Sequence, residues 1–175
     1  MKLTQATIAT CILALTPISV MAEYNTSPVL AHQDSDEFTT FSSSSHAAGK
    51  AFVFDPRRNT WHAYDRYGNL VASGKASGGR HYCRDLRRAC RTPIGTFTIH
   101  RKGSAACRSS KYPIGRGGAP MPYCMFFHRG YAIHGSPDVP NFNASHGCIR
   151  VKPAAARWLS RNFISYGTKV IVKPY

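Results

Sequence analysis

The chain has 175 residues, enough for one domain with a real core, and carries 23 lysines and arginines against eight acidic residues. A balance that basic favours polyanionic partners, yet there is no helix-turn-helix and no aromatic-basic RNA motif, so nucleic acid is not the expected one. Five of the six cysteines lie beyond residue 80, in a chain whose start reads as an export signal.

In Met1–Ala22 the only charge is Lys2; the apolar run Ile12–Val20 follows, and Val20-Met21-Ala22 supplies modest residues at the cleavage positions. This predicts a secretory signal peptide over 1–22, and the apolar run is too short for a stable membrane span. A lipoprotein reading of Cys11 fails because the apolar region mostly follows that cysteine. Residues 23–49 are polar, with a serine run at Ser42–Ser45, and are expected to form a flexible leader because they bury too little surface to fold. The domain is expected over 50–175. From Ala47 onward 22 basic residues face only Asp55, Asp65, Asp85 and Asp138, a net of +18.

Ala51–Phe54, Thr60–Tyr64 and Asn69–Ser73 are short, rich in β-branched or aromatic residues and separated by turn signals, which predicts an antiparallel meander. Gly74–Arg91 reads as a basic loop carrying Cys83 and Cys90. Thr92–Ile99 returns to strand, with Ile94, Thr96 and Thr98 on one face. Arg101–Pro120 has no clear period; a loop that long is usually functional or pinned by a crosslink, and Cys107 offers the pin. Met121–Phe127, Tyr131–His134 and Gly147–Val151 read as further strands. One helix is expected from Pro153, with Ala155, Trp158, Leu159, Asn162 and Phe163 on its apolar face and Gly167 as its stop. Lys169–Val172 closes the domain as a strand. The fold class is mainly β with one packed helix near the C-terminus.

Export sets how the cysteines are read. With Cys11 removed, the odd count suggests two disulfides and one free thiol. Four cysteines allow three pairings; Cys83–Cys90 with Cys107–Cys124 is the local choice. The odd one out is Cys148, because it alone sits among histidines and glycines. If the strand runs back through His146, that side chain shares the Cys148 face, as does Arg150. His134 ends its own strand, and Gly135–Ala144 is long enough to bring it beside Cys148 as a base, oriented by a carbonyl in the turn at Gly135. Asp138 is the sole nearby carboxylate that the order of the chain suggests. Lowering a thiol pKa by about two units raises the thiolate fraction about 25-fold but cuts nucleophilicity roughly 8-fold, so ionisation alone contributes little. Donors facing a developing oxyanion, worth about 10²–10³-fold each, matter more. Two rivals use the same residues. A zinc site on His134, His146 and Cys148 lacks a fourth protein ligand, so no metal or other cofactor is expected; a sortase-like site would have its histidine much further upstream.

His134 with Ser145-His146-Gly147-Cys148-Ile149-Arg150 resembles the signature of the L,D-transpeptidases, the YkuD/ErfK catalytic domain of bacterial cell-wall enzymes. Thr92–Phe97 and Pro120–Tyr123 leading into Tyr131–Gly135 support the likeness, which spans about Lys50 to Tyr175. The resemblance implies a β-sandwich-like fold and attack by Cys148 on a peptidoglycan tetrapeptide stem. D-alanine leaves, and an amine resolves the thioester. It implies His134 as base and acid, an oxyanion hole from His146, Gly147 and Cys148, and Ser145 as support for His146. Arg150, Gly135, Tyr123 and Met121 become substrate contacts, the last two from a lid loosely over Ser104–Tyr123. Acylation by carbapenems is also implied. The +18 surface is expected to hold the enzyme on the anionic cell envelope, in periplasm or wall. The alternatives are an L,D-carboxypeptidase or crosslink hydrolase with the same site, and a non-catalytic basic envelope-binding protein.

Overall fold

The computed structural model describes residues 39–40 and 49–175, within the unit Asp34–Tyr175. The signal segment with Cys11, and most of the leader, lie outside the described residues. Thr39–Thr40 (β1), inside the expected leader, pair with Ser73 and Ala72.

Alternation in the sequence becomes alternation in burial. In Ala51–Asp55 (β2) and Thr60–Tyr64 (β3), Phe52, Phe54, Trp61 and Ala63 lose all their exposure, while Ala51, Val53, Thr60 and His62 keep some. The two strands pair antiparallel, Phe52 opposite Ala63 and Phe54 opposite Trp61, so one face of the hairpin is wholly apolar. Leu70–Ser77 (β4) completes the meander and runs four residues beyond its expected end, because its far edge serves a second partner. The segment read as a basic loop contains a small separate hairpin, Tyr82–Cys83 (β5) with Arg88–Ala89 (β6), closed by a Cys83–Cys90 disulfide.

Gly95–Thr98 (β7), Arg101–Lys102 (β8), Met125–His128 (β9), Tyr131–Gly135 (β10), Ile149–Val151 (β11) and Lys169–Val172 (β12) complete the strands. One sheet runs β7-β12-β2-β3-β4-β11-β10-β9-β8. Most neighbours are antiparallel; β12 with β2 and β10 with β11 are parallel. The sheet curls until Phe97 of β7 meets Phe127 and His128 of β9, with ring centroids 5.5 and 4.9 Å apart. Inside the curl lie Phe52, Phe54, Trp61, Met125, Ile133 and Ile149, each fully buried. Emptying an aromatic position there costs about 3–5 kcal/mol.

Pro153–Trp158 (α1) packs on β10, its Ala155 and Ala156 buried, and Leu159–Phe163 then widens to a π-type turn closed by Ile164 N–H on the Leu159 carbonyl (2.7 Å). The widening shifts the phase: Leu159, Ser160 and Phe163 are buried, and Asn162, expected on the inner face, is exposed. The ammonium of Lys102 donates to the carbonyls of Ser160 (2.5 Å) and Ile164 (2.7 Å) at the helix end, where a cation complements the dipole.

Candidate active site

Parallel pairing of β10 with β11 sets the site. His134 stands opposite Arg150 and Ile133 opposite Ile149, so the residues just before β11 arrive beside the start of β10. The crossover between them is a loop, and β4 with its extension holds it down. Ser145 N–H donates to the Gly78 carbonyl (2.9 Å), Arg80 N–H to the Ser145 carbonyl (3.0 Å), and Ala144 N–H to Ser77 Oγ (3.1 Å). The Arg80 guanidinium also bonds the Ala144 carbonyl. The expected strand therefore does not run back through His146: Ser145 makes an isolated parallel bridge with Gly79, residues 146–148 are a bend, and β11 begins only at Ile149.

Gly147 sits in that bend at φ +123°, and a Cβ there would lie 2.4 Å from Cε1 of Tyr131. Both conditions demand glycine. Its carbonyl accepts from Thr92 Oγ1 (2.8 Å), which in turn accepts from Gly79 N–H (3.0 Å). Its own N–H donates to Ser145 Oγ (3.0 Å), and that hydroxyl donates to the Cys148 carbonyl (2.5 Å). Ser145 Oγ bonds Gly147 and Cys148, where it was expected to support His146, and the Gly147 N–H, expected to face an oxyanion, is bonded within the loop.

Among the described residues Cys148 is the free cysteine, and the other four form Cys83–Cys90 and Cys107–Cys124, the local pairing. The residue keeps some surface, yet its thiol is packed closely enough that burial pushes its pKa up. His134 is 6% exposed, and burial lowers its pKa to about 4. Its Nδ1–H donates to the Gly135 carbonyl (2.9 Å), which fixes the tautomer and leaves Nε2 with its lone pair. At neutral pH the pair is thus thiol and neutral imidazole. A cavity of about 120 Å³ is lined by His134, Cys148, Arg150, Met121 and His146. A second, of about 520 Å³, meets it at Cys148, Met121 and Tyr112.

His146 is clamped from two sides. Its Nε2 lies 2.7 Å from Asp85 Oδ2, and its ring stacks on Tyr112 at 4.6 Å. Asp85 is on the disulfide-closed hairpin and was not among the expected residues; an acid between two cysteines seven residues apart is the one signal that pointed to it. Asp138, the expected carboxylate, instead pairs with Arg150 (2.5 Å). Cys83, Asp85 and His146 lie within 4.8 Å of one another, but Cys83 is in its disulfide and offers no thiolate to a metal. Tyr112 walls both cavities and was missed because its loop has no period.

Two expected contacts fall elsewhere. Tyr123 packs on the main core with the Arg161 guanidinium over its ring (5.6 Å) and lines neither cavity. Gly135 is buried against Pro122 and Ala156, where a Cβ would meet them at 3.0 and 3.2 Å, so its part is close packing and the carbonyl that orients His134. Met121, 7% exposed, does line both cavities. The loop that carries it folds back on itself, Met121 N–H to the Cys107 carbonyl and Tyr123 N–H to that of Ser104 (both 2.9 Å), and the Cys107–Cys124 disulfide fastens it.

The pattern of the L,D-transpeptidase catalytic domain (YkuD) matches residues 49–172. No curated protein matches in sequence. Among solved structures, an L,D-transpeptidase of Xylanimonas cellulosilytica is 30% identical over 76% of this chain and 63% of its own, with a TM-score of 0.61. One from Mycobacterium smegmatis is 24% identical over 71% and 58%, with a TM-score of 0.59. One from Mycobacterium tuberculosis, carrying a faropenem-derived adduct, is 22% identical over 71% and 60%, with a TM-score of 0.55. These last two are likenesses of fold. The chain spans about 60% of the length of the three structures.

Proposed function

Because the chain belongs to the L,D-transpeptidase catalytic-domain family, its pattern running from 49 to 172, we propose that it is an exported cysteine acyltransferase acting on peptidoglycan stem peptides. The observation that carries this reading is one unpaired thiol, Cys148, sharing a cavity with an imidazole whose Nδ1–H is tied to a carbonyl and whose Nε2 is open. The signal-like first 22 residues and two disulfides support an oxidising compartment, the periplasm or wall.

The resting pair is neutral, so the thiol proton moves to His134 Nε2 as sulfur attacks. The new C–S bond forms at the carbonyl of the third stem residue, and the charge on its oxygen faces the His146 and Cys148 N–H groups. The C–N bond to the terminal D-alanine then breaks, the departing nitrogen taking the proton from His134. In the second half an amine attacks the thioester and gives its proton to His134. The C–S bond breaks and the thiol recovers its proton. An imidazolium with a pKa of about 4 is a strong acid, suited to protonating a poor amine leaving group. The same thiolester chemistry supports acylation of Cys148 by carbapenems, in line with the penem adduct on the M. tuberculosis relative.

Incubating the full chain with disaccharide-tetrapeptide and following products by mass tests the reading. A crosslinked dimer that disappears in Cys148→Ser is expected. Tripeptide alone would make the protein an L,D-carboxypeptidase; no turnover and no Cys148-dependent carbapenem adduct would leave a basic envelope-binding protein.

A further inference from the structure

The two cavities that meet at Cys148 differ in what lines them. The smaller holds His134, with Arg150 already paired to Asp138. The larger is walled by Arg101, Lys102, Arg108 and Lys111 and by no acidic residue. Lys102 is committed to two carbonyls at the helix end, but the other three meet only uncharged partners. The Arg101 guanidinium lies 3.8 Å from the centroid of the Phe126 ring, Arg108 Nη1 donates to the Gly118 carbonyl (2.8 Å), and the Lys111 ammonium is 5.8 Å from the Tyr112 ring centroid.

Among the described residues, none of the acids neutralises them. The described part of the domain has four acids, and each is engaged elsewhere: Asp55 with Lys173 and its own turn, Asp65 with the backbone of its turn and Asn69, Asp85 with His146, Asp138 with Arg150. These three side chains are exposed and solvated, and together they give the recess a positive potential that a ligand of opposite charge complements.

Proton transfer decides which part of the substrate goes where. The leaving amine and the later attacking amine must both reach His134, which lines only the smaller cavity. The acyl part of the donor, on the other side of the scissile carbonyl, is left to the larger one. We propose that this larger cavity reads the ionised carboxylates of the acyl donor, so that the enzyme selects stems whose side carboxylates are free over stems in which they are amidated. The inference rests on the transpeptidase reading and adds to it a charge specificity.

The test uses the full chain and two tetrapeptide donors that differ only in having a carboxylate or a carboxamide on the acyl side of the scissile bond. The expected result is a kcat/KM about tenfold higher for the carboxylate donor, narrowing several-fold between about 50 and 300 mM salt. Arg108→Gln and Lys111→Gln should each slow the carboxylate donor several-fold and shrink the gap, while the remote Arg66→Gln changes neither donor. An unchanged rate of iodoacetamide labelling at Cys148 reports that each variant is folded at the site, since burial slows the reaction. Calorimetry on Cys148→Ser with the matching tripeptides gives the same comparison without turnover. Equal kcat/KM for both donors, or a gap that survives the combined Arg108→Gln/Lys111→Gln variant, overturns the inference and leaves the transpeptidase reading intact. Discriminating binding without turnover on either donor would sustain the cavity's preference and remove the transpeptidase reading.

Discussion

His134 is held in the neutral form by burial, and that has a consequence for stability as well as for chemistry. Its pKa is about 4 in the fold against 6.5 as a free side chain, so between those values the unfolded chain binds the proton more readily. Stability contributed by the neutral ring is therefore fully present above about pH 6.5 and is lost as the pH falls towards 4, by roughly 3 kcal/mol in all. Tm measured across that window should drop on the acid side, and His134→Gln should remove this part of the slope; an unchanged slope would place the titration elsewhere. Cys148 is displaced in the opposite sense, its thiol pushed up by burial. Its alkylation by iodoacetamide should accordingly keep accelerating into the alkaline range; a plateau at neutral pH would mean a preformed thiolate. Both residues were legible because histidine, glycine and cysteine fall in a short run with strand-like spacing. Asp85 was not, since 61 positions separate it from His146 and only the folded hairpin joins them. That the Gly147 N–H is bonded within its own loop was not legible, because its direction depends on the Ser145 hydroxyl.

At the scale of elements, the site is assembled from pieces with little intrinsic order, and covalent staples make up the difference. The segment between Lys102 and Met125 contains no strand or helix, yet it supplies Tyr112 and Met121. The Cys107–Cys124 crosslink closes a loop of separation 17 and contributes about 3 kcal/mol on the chain-entropy model. A Cys107→Ser/Cys124→Ser double variant should lower Tm by about 10 °C and slow acylation of Cys148, with circular dichroism unchanged well below the transition. The smaller hairpin acts through Asp85. Asp85→Asn keeps its size and removes its charge, so it should slow acylation by about tenfold with little change in Tm, a split that a merely structural contact would reverse. Regular elements were read well where both partners pair along the whole strand, as in β2, β3 and β12. They were read short or long where a second partner intervenes: β4 extends to Ser77 to serve β11, and β11 begins late because Gly147 turns the chain.

Charge is the property that belongs to the whole chain rather than to any element. A net of +18 beyond residue 47 was plain in the sequence, but its distribution was not, since it depends on where four aspartates are used. With those acids engaged locally, the remaining cations present a positive surface of the kind that a polyanion attracts. Such attraction weakens steeply with ionic strength, because it is carried by exposed charges separated by more than a Debye length, about 10 Å at 0.1 M salt. Retention of the protein on purified sacculi should therefore fall sharply between about 50 and 500 mM salt, and should persist in Cys148→Ser, which keeps every surface cation. Arg84 and Arg87, exposed on the disulfide hairpin, are the natural pair to neutralise: Arg84→Gln/Arg87→Gln should weaken retention while leaving the rate on a soluble donor unchanged. Two electrostatic effects are then separable. Under the proposed function, surface attraction would set how much protein is retained on sacculi, with Arg108 only one exposed cation among many, whereas the cavity would set which donor reacts, and Arg84 does not line it. High salt that leaves sacculus binding intact would show that the positive surface has no part in anchoring the enzyme.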